Sequence, residues 1–216
     1  MRRDVQNEQK LYIIEICRGK AQKCRYALSD IVPLKDAIIA KLEEMRFSLK
    51  YSRKIDGRIL PHHKFKIALS ACPNACSQPQ IKDFGVIAKV RPRRTDEECT
   101  FCKKCQKACL EEAINFDESG AIINYARCVE CGSCIAQCPT KSLQEYRSGY
   151  TVLIGGKLGR HPQFGRELIG MADEDNIIHA LQLCARLMLE RDGKAMRFGD
   201  LVNLIGLENI KDMLES

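Results

Sequence analysis

The sequence predicts an α+β fold: a mixed or antiparallel sheet, covered by helices and interrupted by a cysteine-rich insert. Three observations lead there. The 216 residues are 45% hydrophobic and 29% charged, with only 14 Gly and 7 Pro; that is enough apolar surface for a core, and it excludes disorder, collagen and coiled coil. Short apolar stretches of period two recur before residue 95 and again near residue 150, whereas spacings of three and four dominate after residue 174. Eight of the 13 cysteines fall between Cys99 and Cys138, which sets that stretch apart.

Taken in order, residues 10–16 form an apolar first strand, and residues 33–47 a helix opened by Pro33, whose fixed φ suits a first turn. Strands are expected near 48–52, 64–70 and 84–90, the second of them alternating strictly and ending at the Pro73-Asn74 turn. After the insert come a strand at 150–155 and helices at 174–191 and 197–214. The cofactor loops would lie along one edge of the sheet and the helices over the opposite face. The organisation is therefore 1–94, first part of the main domain; 95–149, insert; 150–216, second part with the terminal helices.

A secretory leader would need an apolar run after Arg2 and Arg3, and the candidate at 11–16 is broken by Glu15. The most hydrophobic late stretch, 177–189, carries His179, Gln182 and Arg186, so no membrane span is expected and the protein reads as cytoplasmic. In such a reducing compartment 13 cysteines argue for metal rather than disulfides. Residues 1–94 hold 21 Lys and Arg against 9 Asp and Glu, a charge that admits nucleic acid, an acidic protein or a small anion as partner. The Arg91-Pro92-Arg93-Arg94 run has no aromatic platform or reading helix beside it, which argues against nucleic acid.

The insert repeats with a period of 29, pairing Cys99, Cys102, Cys105 and Cys109 with Cys128, Cys131, Cys134 and Cys138. Each half is C-x2-C-x2-C-x3-C, the second followed by Pro139, and the pair resembles the two-cluster bacterial ferredoxin. In that module the fourth cysteine of each half serves the other cluster. The resemblance thus implies one 4Fe-4S cluster on Cys99, Cys102, Cys105 and Cys138, and a second on Cys128, Cys131, Cys134 and Cys109. Structural zinc is the rival, but zinc knuckles usually come as separated C-x2-C pairs. Leu110 stands where many ferredoxin halves have proline, a departure that removes no ligand.

Outside the insert, HKFKIALSACPNACSQPQIKDFGVIA looks like the siroheme-binding segment of the sulfite and nitrite reductase family, and VLIGGKLGR like that family's glycine-rich strand and loop against the tetrapyrrole. The resemblance covers about residues 10–170, with the ferredoxin module placed as in the dissimilatory sulfite reductases. It implies a third 4Fe-4S cluster on Cys17, Cys24, Cys72 and Cys76, with Cys76 the bridge to siroheme iron. The first pair departs from the pattern, being C-x6-C where the family has C-x5-C. Gly155, Gly156, Lys157 and Arg160 would lie against siroheme, Arg160 towards a carboxylate.

The activity implied is six-electron reduction of sulfite or nitrite, fed from an external donor protein through the ferredoxin-type clusters. Lys64 and Lys66, two apart on a strand and so on one face, match a Lys-x-Lys by which the family holds the oxyanion and delivers protons. The alternative, favoured by small size and C-x6-C, is a multi-cluster electron-transfer protein on the same fold without productive siroheme. Family sites form where two pseudo-symmetric repeats meet, so a single repeat predicts a homo-oligomer. His62 and His63, on opposite faces of an extended chain, cannot share a metal, and Cys184, at helical apolar spacing, is a core thiol.

Overall fold

A computed structural model describes residues 9–215; Arg2 and Arg3 of the leader argument lie outside it. Five strands build the main sheet in the order β1-β2-β3-β6-β7: β1 (Tyr12–Ile16), β2 (Phe65–Ser70), β3 (Phe84–Arg94), β6 (Leu143–Ile154) and β7 (Arg166–Ala172). The sheet is mixed, since β1, β2 and β3 run parallel whereas β6 is antiparallel to both β3 and β7. Phe65, Ile67 and Leu69 alternate towards one core, where Phe65 meets Phe47, Phe84 and Phe198 at ring-centroid distances of 5.3 to 6.5 Å. The helices α1 (Val32–Glu44), α2 (Phe47–Ser52), α5 (Glu174–Glu190), α6 (Phe198–Ile205) and α7 (Leu207–Glu215) pack their apolar faces into the same core.

The other face of β2 and β3 is covered by the chain between those strands. Ser77 donates to the Leu69 carbonyl at 2.8 Å, and a Cβ on Gly85 would stand 2.3 Å from the Pro79 oxygen. That glycine lets two backbones touch.

Four expectations need correction. Residues 48–52 are helical, not a strand: Phe47 and Tyr51, four apart, stack at 5.4 Å on one buried face of α2, and Tyr51 donates to the Met196 carbonyl. The long terminal helix is two, parted at Gly206, whose φ of 90° no helix accommodates. His62 and His63 are not extended but occupy a 3-10 turn, their rings edge to face at 4.3 Å. Strand β7 has no counterpart in the sequence reading; its shifted pairing with β6 hides the period-two pattern.

Between β3 and β6 lies a small unit: α3 (Lys104–Ala108), the hairpin β4 (Ile114–Asp117) and β5 (Gly120–Ile123), and α4 (Ser133–Gln137), around its own core of Ile114, Ala121, Leu143 and cysteines. Strand β6 already starts at Leu143, so the boundary at 149/150 falls inside a strand. The arginine run ends β3 and grips the unit: Arg91 faces Glu130 and lies over Tyr125, and Arg94 reaches Ser119 and Asp117. Among the described residues no helix is long and apolar enough to cross a membrane.

Candidate functional site

Parallel pairing brings the ends of β1 and β2 to the same end of the sheet, with the Cys17 N–H donating to the Leu69 carbonyl at 3.1 Å. Beyond β1 the chain turns through Gly19 (φ 57°), one 3-10 turn and Lys23 (φ 54°), and the Cys24 N–H closes on the Gly19 carbonyl at 3.0 Å. This tight turn takes up all six residues of C-x6-C. Beyond β2 the Cys72-Pro73-Asn74 turn closes by Ala75 N–H to Cys72 carbonyl, 3.1 Å, with Ala75 left-handed. Cys17, Cys24, Cys72 and Cys76 thereby line one cavity of about 510 Å³ together with Arg18, Lys23 and Arg25.

Burial pushes the Cys72 thiol up, the Asn74 N–H counters, and negative charge on Cys17, Cys24 or Cys76 would raise it further. A cation among the four sulfurs would relieve Cys72, and the flanking arginines and lysine suit an anionic cofactor. Among the described residues no three His, Cys, Asp or Glu groups converge on a point that would hold one ion. Four thiolates with cations beside them are the ligand chemistry of an anionic iron-sulfur cluster. The donor set fits the cluster.

In the small unit the period of 29 reappears in the backbone. Helices α3 and α4 are 29 residues apart, as are the left-handed pairs Phe101 and Glu130, Lys103 and Gly132, Glu112 and Lys141. Left-handed residues beside right-handed ones turn successive N–H groups to one side, the concavity used at iron-sulfur sites. The thiols group crosswise: Cys105 feels Cys138 and Cys102, while Cys134, pushed up to about 12 by burial, feels Cys128, Cys131 and Cys109. Gly120 seats Cys99 closely, since a Cβ there would stand 2.6 Å from that of Cys99. N–H groups point at sulfur, Ala113 to Cys109 at 3.3 Å and Leu143 to Cys138 at 3.4 Å.

The second of these groups abuts the first cavity. Val90 bridges to Cys131 beside Gly132, a Cβ on Gly132 would touch Leu28 at 3.5 Å, the Leu28 N–H donates to the Ala71 carbonyl at 2.8 Å, and the Ala71 N–H donates to Cys17 Sγ at 3.2 Å. Cys102 of the other group is exposed.

Lys64 and Lys66 lie at the other end of β2 from Cys72. Four residue steps of extended strand take the chain from Lys66 to Ser70, about 13 Å. Both lysines are half-buried, and neither ammonium forms an ion pair among the described residues. Near them sits the glycine-rich loop: the Gly155 N–H donates to the Asp83 carbonyl at 2.9 Å, and the Lys66 N–H donates to Asp83 Oδ2 at 2.8 Å. Gly156 faces backbone, since a Cβ there would stand 2.5 Å from the Gln80 oxygen, and buried Lys157 pairs with Asp200 of α6. Leu158, Gly159 and Arg160 are exposed. One end of β2 thus holds the four cysteines, and the other the lysines and the loop. Cys184 is wholly buried on α5, where desolvation pushes its thiol up.

Sequence reasoning missed Asp83, Asp200 and Leu28. Asp83 is 3% exposed yet carries no motif, and Asp200 and Leu28 act through partners 43 residues or more away.

Residues 19–216 match the family described as the nitrite and sulphite reductase 4Fe-4S domain. The chain is 42% identical over 98 residues to coenzyme F420-dependent sulfite reductase of Methanocaldococcus jannaschii, covering 45% of this chain and 16% of that one. It is 32% identical over 77 residues to the NAD(P)H nitrite reductase of Bacillus subtilis, 36% of this chain and 8% of that one, so it spans under a fifth of either relative. Dissimilatory sulfite reductase I shares the fold, with a TM-score of 0.64 at 16% identity over 94% of this chain and 52% of that one. With the match running through the CPNAC cysteines, strands β2, β3, β6 and β7 of the sheet and the terminal helices, the chain belongs to the nitrite and sulphite reductase 4Fe-4S domain family.

Proposed function

We propose that this chain is a siroheme and iron-sulfur oxidoreductase that reduces sulfite or nitrite by six electrons. The observation that carries the proposal is the convergence of Cys17, Cys24, Cys72 and Cys76 on one cavity bordered by Arg18, Lys23 and Arg25. These cysteines would hold a 4Fe-4S cluster, Cys76 the bridge to the haem, and the basic residues would meet the siroheme carboxylates. Siroheme iron, when bound, supplies the centre at which the oxyanion is reduced. Cys99, Cys102, Cys105 and Cys138, and Cys128, Cys131, Cys134 and Cys109, would hold two further 4Fe-4S clusters within a ferredoxin-like unit spanning 95–149, facing an external donor protein at the exposed Cys102 side.

Lys64 and Lys66 would receive the oxyanion, and Gly155, Gly156, Lys157 and Arg160 would border the cofactor. Because these residues stand at the opposite end of β2 from the cysteines, the proposal requires a homo-oligomer in which the lysines of one copy face the cysteines of another. A cytoplasmic setting follows from thiols kept reduced.

A second reading, an electron-transfer protein without productive siroheme, is favoured by the engagement of Lys157 with Asp200 and of Gly156 with backbone. A visible spectrum of anaerobically purified protein decides, with iron and extractable tetrapyrrole counted per chain. Siroheme bands and about thirteen irons support the reductase. A bare iron-sulfur shoulder, after expression with siroheme synthesis supplied, leaves the carrier.

A further inference from the structure

Two buried polar side-chain atoms among the described residues lack a hydrogen-bond partner, and one is Asp83 Oδ1. The residue sits at the start of β3, beside Lys66 in the parallel ladder that pairs Ile67 with Phe84. Its Oδ2 accepts the Lys66 N–H, so half of the carboxyl fixes the strand that carries both lysines, and the other half has no partner. A buried acceptor without a partner is costly, the more so when charged.

Four groups face this carboxyl from the elements around it: Lys66 on β2, Lys82 just before β3, Arg197 at the head of α6, and the Tyr51 phenol of α2. Most are engaged elsewhere. Lys82 pairs with Glu15 at 2.7 Å, Arg197 donates to the Leu158 carbonyl at 2.9 Å, and the Tyr51 hydroxyl donates to the Met196 carbonyl at 3.0 Å. The Lys66 ammonium alone forms no such bond among the described residues.

We propose that Asp83 is the positioning residue of the Lys64 and Lys66 face and makes anion binding there proton-linked. This rests on the assignment of that face to the oxyanion. An anion arriving at Lys66 brings a second negative charge towards a carboxylate that is already desolvated, and the pair relaxes when Asp83 takes one proton from solvent. The balance is one anion and one proton bound per site, with no bond to the anion made or broken. Burial already lifts the Asp83 carboxyl to about 6, against the pull of the Lys66 N–H and the surrounding cations, so the proton is available near neutrality.

Calorimetric titration of the anaerobically purified full chain with sodium sulfate, whose own charge is constant from about pH 5 to 8, tests this. Sulfate affinity should fall severalfold as pH rises through the Asp83 range. Titration in two buffers of different ionisation enthalpy should report proton uptake by the unaltered protein. Asp83→Asn, which keeps an acceptor for the Lys66 N–H, should flatten the pH dependence of sulfate binding. Lys66→Gln should weaken binding at every pH. A pH dependence unchanged in Asp83→Asn, or binding without proton uptake in the unaltered protein, overturns the linkage. Sulfate affinity unchanged in Lys66→Gln, or no sulfate binding at all, instead overturns the assignment of the face to an oxyanion and the linkage with it.

Discussion

Gly85 occupies a place where a single methyl group would collide with the Pro79 carbonyl oxygen, 2.3 Å away, and the other atoms nearest to it, the carbonyl carbon and ring of Pro79, are rigid too. Gly85→Ala should therefore cost about 2 kcal/mol, read as a lower urea midpoint at unchanged slope. Asp83 makes the contrasting case of a residue that costs stability where it stands. Its carboxyl rises from 3.8 to about 6 on folding, so the folded chain holds the proton more tightly than the unfolded one. Its favourable contribution is present below the unfolded value and lost as pH rises through 3.8 to about 6, leaving a deficit of about 3 kcal/mol at neutral pH. Asp83→Asn should accordingly unfold at a higher temperature than the unaltered chain at pH near 8 and lose that advantage towards pH near 4; melting curves across that range check the sign.

Elements were legible where the information was local. Period-two alternation located β2, and apolar spacings of three and four located α5, whose Asp173 cap and the two short helices α3 and α4 only the structure shows. Residues 48–52 failed because so short a run, with Leu49 and Tyr51 two apart, reads equally well in either period, and only the buried stack of Phe47 on Tyr51 selects the helix. The cysteine groups were legible because they are written in short spacings that repeat after 29 residues. The crosswise exchange yields a sharp expectation: Cys138→Ala, in the second half-motif, should cost about four irons from the first, leaving the signal of the Cys128, Cys131 and Cys134 group intact. Iron analysis with electron paramagnetic resonance of the reduced protein distinguishes this from loss of the neighbouring group.

Across the whole molecule the sequence reading drew one site, and the structure separates its parts along β2, cysteines beyond one end and lysines with the glycine loop at the other. Linear order hides this, since Lys64 to Cys76 is one continuous motif whose strand holds its two ends apart. Nor does any spacing announce that Lys157 turns to Asp200 or that Leu28 lies between two cysteine groups. Such pairings are decided by tertiary packing, which a local pattern does not encode.

The ladder between β3 and β6 runs from Phe84 opposite Ile154 to Arg94 opposite Leu143. Topologically, then, the whole small unit between them is the loop of one long β-hairpin. The entropy of closing a loop grows only with the logarithm of its length, so a hairpin tip can exchange a tight turn for an entire module at small cost to the sheet below. A chain in which Asn-Gly joins Arg94 directly to Leu143 should keep the core of Phe47, Phe65, Phe84 and Phe198 and unfold cooperatively, and any iron it retains on analysis would be that proposed for Cys17, Cys24, Cys72 and Cys76. The same geometry makes the module a detachable cartridge, one that gene rearrangement could add to or strip from this sheet without redesigning it.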